Sequence, residues 1–556
     1  MPRNLTILAG CLLGAVFAGV CVFGSEGHPA QEPVGGNPVL KSESALVVLD
    51  VVVTDKKGQP VHGLKAADFT VLEKGQKMTL QSFEEYRADQ AAPPVPPPAK
   101  QAIGPNVFTN ITDTAGNGPL NIVLMDALNT PMADQMYMRE QMLEYVKKVP
   151  PGTRIAIFGL SDHLYLLQAF TTDPAVLNAD VQMFRAQKAA VPPALRRVYT
   201  LAAIENLARY LSDLHGRKNL IWFAGSFPRV IPDGDQENGF GAMANFADDM
   251  KWTANLLMRS QVAVYPVDAR GLFSNPEMSA AVGTPPGPNS QLHFLDQVAH
   301  RHIGMNVLAE GTGGKAFYDT NGLKEAVQEA ITDGSNYYTL AYVPTDRQWD
   351  DRYRGLRVEL NQPGVELFYR HGYFAYDPDA PSAQGGQALP MSVMDSAMLL
   401  GGPNPTQILF MVKIVPAAGT ENKLPPNNQP NVKKMRPPYR HYDVWYGTNL
   451  RSLAFTATPD GVHHGSLEFE ALLYSASGEL MNAIRETMKV DLPAARYESA
   501  LRSGFEFHQN IAAPAKSEYF LRLGVHDVSS DRVGAVEVPL TAIPKAPPAP
   551  PAASGK

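Results

Sequence analysis

The residues best placed to do chemistry stand at the end of one apolar run. Leu120 to Thr130 reads Leu-Asn-Ile-Val-Leu-Met-Asp-Ala-Leu-Asn-Thr. A short apolar run bounded by polar residues predicts a buried strand of a parallel sheet. Such strands offer their carboxyl ends to ligands, which makes Asp126 a candidate metal ligand or partner contact. Asn129 and Thr130 add further oxygens in the same loop. The structural reading of Asp126 is that it caps the following turn or accepts hydrogen bonds from loop amides. In either reading the pattern points to binding more than to catalysis.

Other chemistry-bearing clusters carry less. Ser161-Asp162-His163 has the residue types of a nucleophilic triad, but consecutive positions cannot place three side chains in relay. His300-Arg301-His302 has no Cys or Glu nearby at ligand spacing, whereas zinc needs three or four convergent ligands. His463-His464 follows the turn signal Asp460-Gly461 and reads as a loop. Gly311-Thr312-Gly313-Gly314 precedes a strand, not a helix, so it reads as a helix end and not a phosphate cradle. Asp248-Asp249, close to Lys251, reads as a solvated helix face. Tyr338 and Tyr342 share one face of a predicted strand, with Tyr337 on the other, which reads as packing. There is no dinucleotide fingerprint, zincin motif or P-loop.

The elements that must position Asp126 alternate between strand and helix. Predicted strands are Asn121–Met125, Thr153–Gly159, Leu164–Phe170, Asn219–Phe223, Val262–Val267 and Lys315–Tyr318. Predicted helices are Met132–Val149, Asp173–Gln187, Thr200–His215, Asn245–Ser260, Gln291–Ala309 and Gly322–Thr332, with Thr200 as an N-cap. Such alternation means a doubly wound sheet with helices on both faces. Before it, Leu46–Tyr86 reads as a small all-β unit; after it, Asn336–Tyr376 reads as three antiparallel strands that complete the same sandwich. Residues from about Pro390 to Pro544 are strand-patterned again, with a long Pro/Asn/Lys loop over Gly419–Arg440.

The predicted fold class is therefore α/β: a doubly wound, mostly parallel sheet inserted in or flanked by a β-sandwich, plus a C-terminal β-sandwich. The expected divisions are a signal peptide (1–24), a small β unit (41–86), a Pro/Gly-rich linker (87–118), the α/β domain (119–335), the completing strands (336–376), a second linker (377–389), the C-terminal sandwich (390–544) and a disordered tail (545–556).

Composition bounds the partners. The chain has 556 residues and a formal net charge of -7, with no basic face to suit nucleic acid. Arg3 followed by apolar or small residues from Leu5 to Gly24 reads as a secretory signal cut near Gly24 or Ala30. The alternative is a retained membrane anchor, since the run is just long enough to span. Leu8-Ala9-Gly10-Cys11 looks like a lipoprotein box, but too few apolar residues precede it. Both cysteines, Cys11 and Cys21, lie in this segment, so its removal leaves no thiol for disulfides or catalysis.

The α/β stretch resembles a von Willebrand factor type A domain, and Leu46–Tyr376 as a whole resembles the VWFA-related domain family of acidobacterial type. The matching residues are Gly63–Phe69, Met125-Asp-Ala-Leu-Asn-Thr130, Gly216-Arg-Lys-Asn-Leu-Ile-Trp222, Val264-Tyr-Pro-Val-Asp268 and Arg370-His-Gly-Tyr373. The resemblance implies a metal-ion-dependent adhesion site: a first loop Asp-x-Ser-x-Ser, a second-loop Thr and a third-loop Asp around a divalent ion. Asp126 matches the first aspartate, Leu128 replaces the first serine, and Thr130 takes the place of the second. Thr200 matches the second-loop threonine, and Ser226 stands near the usual aspartate.

One carboxylate and two hydroxyls (Asp126, Thr130 and Thr200) make a thin ligand set for Mg2+ or Ca2+, unless Asn129 or Asp162 swings in. Taken together, these features predict an exported, non-catalytic adhesion-type protein. It would bind a protein partner through loops carrying Asp126, Asn129, Thr130, Thr200, Gly225 and Ser226. The rival readings are a metal-free structural component of the cell envelope, or a hydrolase with an unrecognised site in the C-terminal sandwich. Membrane contact is expected only through an uncleaved N-terminal segment.

Overall fold

Strand β6 (Leu120–Asp126) is buried along its whole length, because its apolar side chains are covered on both faces of a sheet. In the computed structural model the described residues are 46–88, 104–111, 119–212, 214, 216–227, 252–271, 290–319, 322–346, 348–375, 391–515 and 518–544. The segment expected to be a signal peptide, residues 377–389, residues 545–556, Asp248-Asp249 and the start of the helix expected at Asn245 lie outside them.

The sheet around β6 has five strands in the order β10 (Val262–Asp268), β9 (Lys218–Ala224), β6, β7 (Ile155–Leu160), β8 (Leu164–Thr171). β10, β9, β6 and β7 are parallel, and β8 is antiparallel to β7. That reversal follows from chain length. Only Ser161-Asp162-His163 separates the two strands, enough for a hairpin but far too short for a crossover. The strand expected at Lys315–Tyr318 is reduced to one parallel bridge, Phe317 to Val267.

Helices cover both faces. One face packs α3 (Pro193–Leu211), α4 (residues 252–259) and α5 (Ser290–Thr312) against Ile122, Leu124, Phe158 and Trp222. The other packs α1 (Met132–Val146), α2 (Pro174–Met183) and α6 (Leu323–Ser335) against Val123, Met125, Ile157 and Phe223. Asp173 caps α2, accepting from Ala175 N at 2.8 Å.

The flanking strands form a sandwich that this α/β unit interrupts. One sheet orders β13 (Val365–Phe368), β1 (Val47–Asp55), β11 (Tyr337–Tyr342) and β4 (Leu80–Tyr86). The other orders β14 (Gly372–Phe374), β12 (Tyr353–Leu360), β2 (Phe69–Glu73) and β3 (Gln76–Lys77). Tyr338 and Tyr342 pack in the core between them, and the Tyr342 hydroxyl donates to buried Glu73 at 2.7 Å.

The C-terminal sandwich sets β20 (Phe505–Pro514), β16 (Tyr439–Thr448) and β15 (Phe410–Pro416) against a sheet of β17 (Thr456–Ala457), β18 (Val462–Ser475), β21 (Tyr519–Asp527) and β22 (Arg532–Pro539), with β19 (Leu480–Pro493) on β18. The sequence reading made this region strands and loop and missed the helix α8 (Ala494–Ser503) within it. It also took 87–118 wholly as linker, which the structure corrects. Residues Val107–Thr109 are a strand, β5, on the edge of this distant sandwich, paired with β15. Asn110 explains the capture. Its buried amide donates to Pro405 O at 2.7 Å and Ile408 O at 2.9 Å and accepts from Phe410 N at 3.1 Å.

The α/β unit and the C-terminal sandwich are joined by a polar seam around α7 (Val393–Ala397). The guanidinium of Arg522, with no exposed surface, donates to Ala397 O, Pro403 O and Asn404 Oδ1. From the other side Thr406 donates to Tyr210 O at 3.1 Å. Among the described residues no helix is long and apolar enough to cross a membrane.

Candidate functional site

β6 and β9 deliver Asp126 and Trp222 to the carboxyl edge of the sheet, where the loop Ala127–Pro131 turns into α1. The structure brings Asp126, Asn129, Thr130, Thr200, Gly225 and Ser226 together there, but not as an open rim. Asp126 has no exposed surface, and Thr200 and Thr130 are 1% and 5% exposed. The expectation that outside molecules reach Asp126 is thus overturned, because the loop that follows it folds back as a cover.

That cover is Asn129. Its backbone N–H donates to Asp126 Oδ1 at 2.9 Å, and its side-chain amide donates to Asp126 Oδ2 at 2.7 Å and to Thr200 Oγ1 at 2.8 Å. The Trp222 indole N–H adds a third donor to the carboxylate, reaching Oδ2 at 3.1 Å. Both carboxylate oxygens are therefore engaged. Burial pushes the Asp126 pKa up to about 6, against the lowering effect of these hydrogen bonds.

Thr200 is not an N-cap. Pro192 and Pro193 start α3 seven residues earlier, with Pro193 at the first helical position where its missing N–H costs nothing. Thr200 therefore lies mid-helix, and its hydroxyl donates back to Arg196 O at 2.7 Å. Thr130 is turned the other way and accepts from Gly225 N at 2.9 Å. Ser226, exposed, donates to Asn129 O at 3.2 Å. Gly225 permits this closeness: a Cβ there would stand 2.8 Å from Pro131 Cδ. Asp162 remains in its own turn, bonded to Ser161 and His163.

The residues present do not fit a divalent cation. Mg2+ takes about six oxygens in near-octahedral array, and Ca2+ six to eight. Here the one carboxylate faces three N–H groups, Leu128 lies in the apolar core, and the Thr130 hydroxyl is committed to another loop. Among the described residues, no group of three or more His, Cys, Asp or Glu side chains converges as a metal site.

The sequence reading missed two members of the network. In the sequence Trp222 carries only the family resemblance, yet β9 lies beside β6 with Leu124 opposite Trp222, which sets the indole next to Asp126. Gln135, one turn into α1 and buried, donates to Thr130 O at 2.7 Å and accepts from Gln187 N at 2.9 Å. Polar residues within an apolar stretch were the available signal.

What the crest exposes is different. Pro131, Met132, Ala133, Met136 and Ser226 face solvent, with Met132 and Met136 at 55% and 48% exposure.

No family model matches the sequence, and no curated protein matches it. Several solved structures are similar to parts of the chain. An aerotolerance-related membrane protein from Bacteroides fragilis is 13% identical, with 39% of this chain and 98% of that one covered and a TM-score of 0.24. A von Willebrand factor type A structure from Catenulispora acidiphila is 9% identical, with coverages of 56% and 75% and a TM-score of 0.24. Proximal thread matrix protein 1 from the mussel byssus, solved with a zinc-occupied adhesion motif, is 12% identical, with coverages of 43% and 49% and a TM-score of 0.23. The strand pairing of this chain itself, a doubly wound sheet with one antiparallel edge strand, is the fold that the resemblance to a type A domain implied.

Proposed function

We propose that this is an exported, non-catalytic interaction protein of adhesion or assembly type, which meets a protein partner at the crest of its α/β unit. The observation that carries this reading is the exposed apolar patch of Pro131, Met132 and Met136, beside Ser226, at the carboxyl edge of a doubly wound sheet. Ligands meet such sheets at that edge, and exposed methionines adapt to varied apolar surfaces. The buried network beneath holds the patch in shape. The two sandwiches, sharing one compact unit with it, hold its orientation.

A photo-crosslinking residue in place of Met132 tests this in the native envelope, with the same residue in place of exposed Lys489 as control. Discrete heterologous adducts at the crest, weakened by Met136→Lys, support the reading. Adducts only with other copies of this chain, or equal yields at both positions, favour the rival reading of a structural envelope component.

A further inference from the structure

The type A resemblance implies a divalent ion shared by a first-loop carboxylate and a second-loop hydroxyl. In this chain the two groups are Asp126 and Thr200, and a side chain stands between them. We propose that the Asn129 amide takes the place of the cation, so that the crest is assembled without any divalent metal.

The hydrogen-bond chemistry supports this directly. The Thr200 hydroxyl gives its proton to Arg196 O, so toward the crest it offers only an acceptor. Asp126 Oδ2 is an acceptor as well. Two acceptors facing one point require positive charge or two hydrogens. The Asn129 NH2 supplies the two hydrogens, with its nitrogen 2.7 Å from Asp126 Oδ2 and 2.8 Å from Thr200 Oγ1, and this fixes its orientation.

The surroundings are adjusted to the amide. Trp222 adds an N–H to the same carboxylate oxygen, where a bound ion would have to compete with it. Leu128 removes one hydroxyl ligand into the apolar core. Ser226, where the resemblance has an aspartate, carries no charge and instead holds the Asn129 carbonyl at 3.2 Å. An entering ion would displace a satisfied amide and gain a single carboxylate. Mg2+ usually takes one or two carboxylates together with several waters, which a side chain this buried does not admit.

The inference concerns assembly of the crest and stands or falls apart from the existence of a partner. Its test is the metal content of the purified protein, with thermal unfolding in EDTA, MgCl2, CaCl2 and MnCl2. We expect no stoichiometric metal and the same melting temperature in all four, because an ion that binds the folded state must raise it. Asn129→Asp is the companion variant. It removes both N–H donors and sets a second carboxylate beside Asp126, so its melting temperature should fall in EDTA and recover in MnCl2. A stoichiometric divalent ion in the wild-type protein, or a melting temperature that drops in EDTA, would overturn the proposal even if the variant did not fold. Failure of Mn2+ to stabilise a folded Asn129→Asp protein would also overturn it, since that position would then not be the cation's.

Discussion

Asn129 and Thr200, 71 residues apart in sequence, are joined by a 2.8 Å hydrogen bond that ties the loop after β6 to the middle of α3. Through Asn129 the same loop is tied to Asp126 below it and Ser226 beside it. The crest is one connected polar layer over an apolar core, and its members should fail together.

Trp222→Phe tests the deepest of these links. It keeps the ring but removes the indole N–H from a buried carboxylate. The expected cost is about 1–3 kcal/mol in urea unfolding, the range for a buried acceptor losing a partner. Trp222 fluorescence, taken as the difference between wild type and this variant, should titrate with a midpoint near 6, following Asp126. A flat difference spectrum between pH 4.5 and 7.5 would contradict the assignment.

Gly225→Ala probes the contact between loops. The added Cβ would meet Pro131 Cδ at 2.8 Å, and a proline ring flanked by backbone has little room to move. We expect a loss of about 1–3 kcal/mol, as for other overpacked sites. Faster cleavage in the Ala127–Pro131 loop under limited proteolysis should accompany it.

Stability should fall as pH rises from mildly acidic to alkaline. Burial raises Asp126 to about 6 and both Asp333 and Glu470 to about 7. A carboxyl group whose folded value is raised contributes stability fully below its unfolded value near 4, and that contribution is lost as pH climbs through the folded value. His526 adds an alkaline limb with the same sign. Burial pulls it down, but hydrogen bonds with Asp531 and Glu468 outweigh this and raise it to about 9. Its contribution is complete below about 6.5 and lost as pH passes 9. Calorimetry should find the highest melting temperature near pH 4, with His526→Gln flattening the fall above pH 7.5.

How much of this was written in the chain depends on the range of the interactions. The buried strands Asn121–Met125 and Val262–Val267 were legible because both faces are covered and nearly every residue is apolar. Their order was not, since pairing is a tertiary property. Val107–Thr109 was hidden by its setting. Three residues beside proline- and glycine-rich segments carry no periodicity, and it is the ladder with β15, together with the Asn110 hydrogen bonds to residues 405–410, that makes them a strand. At the crest the gathering of Asp126, Asn129, Thr130, Thr200, Gly225 and Ser226 was readable from family resemblance. The closure over Asp126 was not, because it rests on the rotamer of one asparagine and on an indole from the neighbouring strand.

Asn110→Ala probes that capture. It takes the Asn110 partner from the Ile408 carbonyl and the Phe410 amide and leaves Pro405 O with Ala535 N, for an expected loss of about 1–3 kcal/mol. Hydrogen exchange should show Phe410 N–H and the β5 amides losing protection while β6 and β9 keep theirs.

The interrupted pairing of Val47–Asp55 with Tyr337–Tyr342 imposes a timetable on synthesis. The α/β unit owns all its strands and can close as soon as Ser335 has emerged. The first sandwich must wait for Phe374, and β5 has no partner until β15 ends at Pro416. A nascent chain therefore carries two unpaired strand edges through most of its translation, and any chaperone that attends it has its work in that interval.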